Sequence, residues 1–182
     1  WKDWWYDAKD VRYVEFMAKD NIPFHTIMFP ATLLGVREPW KKVDYIKGFN
    51  WLTFYGGKFS TSQKRGIFTN QALDEFKADY WRYWLMANAP ENSDSSFTFT
   101  GFAATINKDL NDVLGNFVNR ILKMTASKIG AAVPAGGEWG DMEREFVRTL
   151  SARIADYSKY MREMEFRKAL VELRAIWVEG NN

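Results

Sequence analysis

The densest set of groups able to do chemistry lies in residues 56–66: Gly56, Gly57, Lys58, Phe59, Ser60, Thr61, Ser62, Gln63, Lys64, Arg65 and Gly66. Glycines let a backbone approach an anion closely, while three cations and three hydroxyls donate hydrogen bonds to it from several directions. Such a loop suits phosphate. On composition alone a basic surface hairpin is the commoner reading, because short Gly/Lys/Ser stretches are frequent turns. The strand-like run 50–55 precedes the loop, and a helix start near Asn70 follows it.

Three further sets of residues invite a role. His25 is the single imidazole of the chain, and on an apolar helix a lone histidine is more often a satisfied core residue than a catalyst. No nucleophile, base and orienting group can be assembled around it, and Asp7, Asp10, Asp20, Asp79 and Asp94 are too scattered to form a catalytic pair. They read as solvated carboxylates. Asn116 and Arg120 stand four apart on one helix flank, where an amide and a guanidinium can bond the edges of unstacked bases. By spacing alone, the favoured alternative is that Arg120 pairs with a nearby carboxylate and Asn116 is merely exposed. The aromatic groups around 1–6 and 80–84 can stack bases but read as core.

Composition sets the frame for these sites. With 182 residues, 47% apolar and 26% charged, the chain can bury one good core or two small ones. A net charge of +2 is too small for a general polyanion binder and leaves room only for a local basic patch. The lack of cysteine removes disulfides and thiolate metal sites, and one histidine removes a histidine-rich site, so no structural metal is expected. No apolar run is long enough to cross a bilayer, and no signal pattern opens the chain. A cytoplasmic protein is expected, and both ends read as cuts through a larger one.

Residues 13–19 read as a buried strand, with Asp20 and Asn21 as a turn and Pro23 early in a helix over 24–34 that bends or ends near Pro30. A basic connection over 37–42 leads to a strand at 43–46 and to the run 49–55. Beyond the loop, Asn70 caps a helix through Phe76, and 78–89 forms a strongly aromatic one. The polar, turn-rich stretch 91–96 reads as the linker and main boundary. Thr100 caps a helix with the stripe Ile106, Leu110, Val113, Phe117 and Ile121, ending by Gly130 before a connection over 131–137. The stripes Phe146, Leu150, Ile154, Tyr157, Met161 and Phe166, Leu170, Leu173, Trp177 mark two more. The fold class expected is mainly α with a small α/β part, the helices forming an antiparallel bundle.

Ordered runs across the whole chain resemble one family. Residues 16–25 (FMAKDNIPFH), then Phe29, Pro30 and Ala31, then 57–62 (GKFSTS), then 114–120 (LGNFVNR) are similar to the methionyl-tRNA synthetases, class I aminoacyl-tRNA synthetases, in the branch that includes eukaryotic enzymes. The resemblance implies a remnant of a Rossmann-type catalytic domain over 1–55, a signature-loop, stem-contact region over 56–96, and a truncated anticodon-binding helical bundle over 97–182. It implies activation of methionine with ATP, accompanied by Mg2+, and transfer to methionine tRNA. The partners implied are that tRNA, ATP and methionine, with neither DNA nor a membrane.

By the same resemblance Lys19, Asp20, Leu52 and Lys58 meet ATP, and His25 and Phe29 line the methionine pocket. Lys58, Ser60, Ser62 and Lys64 belong to the catalytic signature loop, and Asn116 and Arg120 read the anticodon. The signature's second lysine is Thr61 here, with Lys64 or Arg65 as the replacement charge. The H-I-G-H half of the ATP site and a zinc-bearing insertion are missing, so the fragment alone is expected to be inactive. The other reading is a free-standing tRNA-binding module without catalysis.

Overall fold

Two stretches rich in β-branched and aromatic residues pair first: β1 (Val14–Ala18) lies parallel to β2 (Tyr45–Phe49), with Val14 opposite Tyr45 and Ala18 opposite Phe49. The computed structural model describes residues 1–130, 132–133 and 135–182. By contacts the chain forms two units, one of Trp1–Leu52 with Pro90–Ser95 and one of Thr53–Ala89 with Ser96–Asn182.

In the first unit α1 (Lys2–Trp5) precedes β1, and a parallel pair requires a crossover, which here is helical. It starts as a wide turn, Phe24–Met28, in which the Phe29 N–H reaches five residues back to the Phe24 carbonyl, and continues as α2 (Phe29–Val36). The helix therefore passes through Pro30, where the sequence suggests a bend or stop. Pro30 falls in the first turn of α2, where its missing N–H costs least. Arg37 then ends α2 in the left-handed region, φ 59°.

Two strand expectations are corrected. β2 begins at Tyr45, two residues beyond Val43, and the run 49–55 is not one strand. Its ladder breaks because the Asn50 N–H goes to the Pro90 carbonyl (2.8 Å) and the Trp51 N–H to the Asp94 carboxylate (2.9 Å). The same bonds correct the reading of 91–96 as a linker, since the Ser95 N–H also donates to the Trp51 carbonyl. The aromatic cluster at the start of the chain is corrected too: Trp1 and Trp4 are 69% and 66% exposed, and Trp1 stacks on Trp40.

β3 (Leu52–Phe54) and β4 (Ser95–Phe97) form a second two-stranded sheet, and the chain passes between the units within each of these strands. In the second unit α3 (Thr69–Glu75) and α4 (Ala78–Ala87) follow the loop. Tyr83 and Trp84 of α4 are buried, as the aromatic spacing suggests. Trp84 meets Phe97 edge-on, while Phe54 and Trp81 stack on the same ring.

One continuous helical path follows. α5 (Phe99–Thr105) is capped by Thr98, not Thr100, the Thr98 hydroxyl accepting from the Gly101 N–H at 3.0 Å. A wide-turn segment, Ile106–Gly115, leads into α6 (Asn116–Lys128), with the Asn116 N–H reaching back five residues to the Asn111 carbonyl. Wider winding turns each residue less than the 3.6-residue pattern assumes. The stripe therefore drifts: Ile106 and Leu110 pack at the core, while Ile121 is exposed.

α7 (Asp141–Arg162) and α8 (Phe166–Asn181) form a helical hairpin through a tight turn at Met164, φ 59°. Their 22 and 16 residues make them about 33 and 24 Å long, so the start of α7 outruns its partner. Phe146, expected in the buried stripe, is accordingly exposed; Ile154 is exposed as well, within the length that α8 flanks, while Tyr157 and Met161 join Tyr83, Ala169 and Leu170. Arg153 clasps Glu172 and Glu179 across the hairpin. At Gly180 a Cβ would come within 2.6 Å of the Phe117 ring, so only a glycine lets α8 approach α6 this closely. The connection expected over 131–137 lies partly outside the described residues.

Candidate functional site

The glycine loop folds as two nested turns. Phe54 and Gly57 exchange N–H···O bonds of 2.8 and 3.0 Å around Tyr55 and Gly56, both at positive φ (50° and 77°), which is the turn that a tight hairpin requires. Ser60 and Arg65 exchange two bonds of 2.9 Å, and the Lys64 N–H returns to the Thr61 carbonyl, closing a small ring of residues 60–65. Inside it the Ser60 hydroxyl lies 3.3 Å from that of Ser62 and accepts from the Gln63 N–H. Gly66 sits at φ 137° directly under Phe59, whose ring carbon would be 2.5 Å from any Cβ placed there.

The cations of the loop divide in use. Arg65 donates its Nε to the Lys58 carbonyl at 2.6 Å and lies against Gly57, so its guanidinium holds the loop together. Lys58 and Lys64 are exposed and have no carboxylate partner among the described residues. Beside them a small cleft of 140 Å³ is lined by Phe59, Ser60, Thr61, Arg65 and Gly66 among others. The Lys64 ammonium and the hydroxyls on the closed ring, with the Lys58 ammonium just outside it, form a binding edge for a multiply charged anion.

Lys19, Asp20, His25, Phe29 and Leu52 belong to the other unit. Lys19 follows β1, and its Nζ lies 3.1 Å from Asn50 Oδ1, 3.5 Å from Asp94 and 5.8 Å above the Trp51 ring. Asp94, read as merely solvated, thus fixes both Lys19 and the Trp51 backbone. Asp20 is exposed in the turn, and Leu52 is half-buried in β3. His25 rides on the wide turn with its Nδ1 2.9 Å from Glu15 Oε2. Phe29 lines an apolar cleft of 450 Å³ with Trp5, Leu33, Val36 and Trp40, and His25 is not among its lining residues.

Asn116 and Arg120 open α6 where the winding returns to ordinary α. The Asn116 amide donates to the Asp112 carbonyl at 2.8 Å, and Arg120 Nη1 donates to the Asn181 carbonyl at 3.1 Å. Arg120 therefore pairs with the last turn of α8, not with the carboxylate that spacing alone favours. One of its five N–H groups is used in this bond, and both side chains remain exposed.

Comparison with known proteins gives one answer along the chain. The profile of tRNA synthetases class I (M) matches residues 1–122, and that of the anticodon binding domain of methionyl tRNA ligase matches residues 133–182. The chain belongs to the methionyl class I tRNA synthetase family. Methionine–tRNA ligase of Streptomyces avermitilis is 61% identical over 186 residues, covering all of this chain and 32% of the relative. That of Cereibacter sphaeroides is 58% identical over 184 residues with the same coverage, and methionine–tRNA ligase 1 of Acaryochloris marina is 58% identical over 181.

The chain thus spans about a third of the length of the synthetases it matches. The Mycobacterium tuberculosis methionyl-tRNA synthetase in complex with methionyl-adenylate superposes with a TM-score of 0.82 over 92% of this chain and 33% of that one, at 24% identity, and shares the fold. Its apo form gives 0.75 over 93% of this chain and 32% of its own, at 25% identity. Among the described residues no helix is long and apolar enough to cross a membrane, and no group of three acidic or histidine side chains is placed to hold a metal ion.

In this synthetase chain the residues that sequence reasoning missed are Tyr13, just before β1, and Glu15 within it. Tyr13 and Glu15 share one strand face, a period-two signal available in the sequence but masked by the strong apolar run around it. The Tyr13 hydroxyl donates to Glu15, and its pKa is pushed up to about 12, first by burial and then by that bond. The folded state therefore holds the phenol proton more tightly than the unfolded chain does. Its contribution to stability is whole below the ordinary tyrosine pKa and is lost as pH rises through about 12. In urea titrations from neutral to strongly alkaline pH, the wild type is expected to lose more stability above about pH 10 than Tyr13→Phe does. Parallel curves would remove Tyr13 from this linkage.

Proposed function

We propose that this chain is the part of a methionine–tRNA ligase that carries the signature ATP loop, part of the methionine pocket and the anticodon-reading helices. The reaction is attack of the methionine carboxylate on the α-phosphorus of ATP with departure of pyrophosphate, followed by transfer of the methionyl group to methionine tRNA. Lys58 and Lys64, with the Ser60 and Ser62 hydroxyls, stabilise the charge that builds on the departing pyrophosphate, work that needs no protein nucleophile. Mg2+ arrives with ATP. Lys19, Asp20 and the backbone at Leu52 meet the nucleoside, His25 and Phe29 meet methionine, and Asn116 and Arg120 read the anticodon.

The observation that carries this reading is the pair Lys58, beside the closed ring, and Lys64, on it, neither with a carboxylate partner among the described residues. Of the two cations just beyond Thr61, Arg65 is spent on the Lys58 carbonyl while Lys64 is free. Lys64 therefore takes the place of the second signature lysine. Residues 1–55 act as the Rossmann-type remnant, 56–96 as the stem-contact region and 97–182 as an antiparallel anticodon bundle in a cytoplasmic enzyme. The test is methionine-dependent ATP–pyrophosphate exchange by this sequence within a polypeptide of its relatives' full length. Exchange that requires methionine supports the enzyme; tRNA binding without exchange supports the tRNA-binding module.

A further inference from the structure

Glu15 and His25 meet in a way that the anion loop and the anticodon helix do not explain. Glu15 projects from the middle of β1, opposite Ile46 of β2, and its side chain is 10% exposed; that of His25 is 41% exposed. Their facing atoms, Glu15 Oε2 and His25 Nδ1, are both shut off from solvent, lie 2.9 Å apart and have no other hydrogen-bond partner. Without a proton between them two lone pairs would face each other in a buried site, which is costly. A proton must therefore sit between them, and the imidazole, the stronger base of the two, carries it on Nδ1. The other carboxylate oxygen accepts from the Tyr13 hydroxyl, which burial and this bond keep protonated.

We infer that Glu15 is a positioning residue: it holds the His25 proton on Nδ1, fixes the ring plane, and leaves Nε2 as a bare acceptor on the open side of the ring. Solvated imidazole prefers its proton on Nε2, so the arrangement is imposed by the carboxylate. Tyr13 anchors the far oxygen and stops the carboxylate from rotating away. The functional half of the inference rests on the proposal that His25 lines the methionine pocket; there a ring with a fixed acceptor edge faces the substrate. Methionine binding then depends on Glu15, which touches no substrate itself.

Because His25 is the one histidine of the chain, its tautomer is readable without ambiguity. In 15N-labelled protein, above the pH range in which imidazole ordinarily titrates, the expected spectrum has a pyrrole-like Nδ1 and a pyridine-like Nε2. Glu15→Gln, whose amide oxygen can still accept, is expected to keep that tautomer, while Glu15→Leu shifts the proton to Nε2. A wild-type ring protonated on Nε2 overturns the inference whether or not the leucine variant folds, and so does a folded Glu15→Leu with an unchanged spectrum. In the full-length polypeptide, Glu15→Leu is expected to raise KM for methionine about tenfold, the loss of one hydrogen-bonded group, with KM for ATP unchanged. The expected tautomer with an unchanged methionine KM would overturn the placement of His25 in the methionine pocket and leave Glu15's hold on the ring standing.

Discussion

Replacing Phe97 by alanine is expected to destabilise the second unit by about 3–5 kcal/mol. Phe97 is 3% exposed in β4, and five aromatic rings surround it: Phe54, Trp81, Trp84, Phe99 and Phe102. These rings come from β3, α4 and α5, so the side chain joins β4 to the strand it pairs with and to the helices before and after it in the chain. Removing it leaves a cavity that rigid rings cannot collapse into. The check is a shift in the urea midpoint, followed by tryptophan fluorescence, at unchanged m-value. A loss below about 1 kcal/mol would contradict the packing described for this unit.

Lys58→Ala, in the full-length polypeptide, is expected to slow methionine-dependent ATP–pyrophosphate exchange by about a hundred- to a thousandfold, the range for removing one preorganised group that meets developing charge. In the proposed role the ammonium group meets charge that grows on the pyrophosphate in the transition state, so the effect should fall on the rate more than on the KM for ATP. Stability should not change, since Lys58 is exposed and forms no ion pair among the described residues. An exchange rate within a few fold of wild type, at normal thermal stability, would remove the loop from the catalytic machinery.

The composition of the loop was easier to read in the sequence than the topology was. The loop was legible because glycines, lysines and serines sit within eleven residues and need no tertiary partner to make sense. Which cation is free was not legible, since only the fold shows Arg65 turned back onto the Lys58 carbonyl. The helices at 78–89 and 166–181 followed from apolar spacing, whereas the wide turns at Phe24–Met28 and Ile106–Gly115 have no signature in a 3.6-residue pattern. Residues 91–96 read as a linker because Asn, Ser and Asp favour loops, yet Asp94 uses the same polarity to bind Trp51 and Lys19. Glu15 stayed hidden because charge in a strand reads as a solvent-facing position until its partners, Tyr13 and His25, are seen around it.

The measurement that tests the central claim most directly is a titration of this chain with a methionine-anticodon stem-loop and with the same hairpin carrying a changed anticodon, at two salt concentrations. Phosphate contacts weaken as salt rises, while base contacts keep their discrimination. The account predicts a preference for the methionine anticodon that survives at the higher salt. It also predicts a loss of about 1.5–3 kcal/mol in that binding for Arg120→Ala, the range for a hydrogen bond to a charged group. Equal binding of the two hairpins, falling together with salt and unaffected by Arg120→Ala, would contradict it.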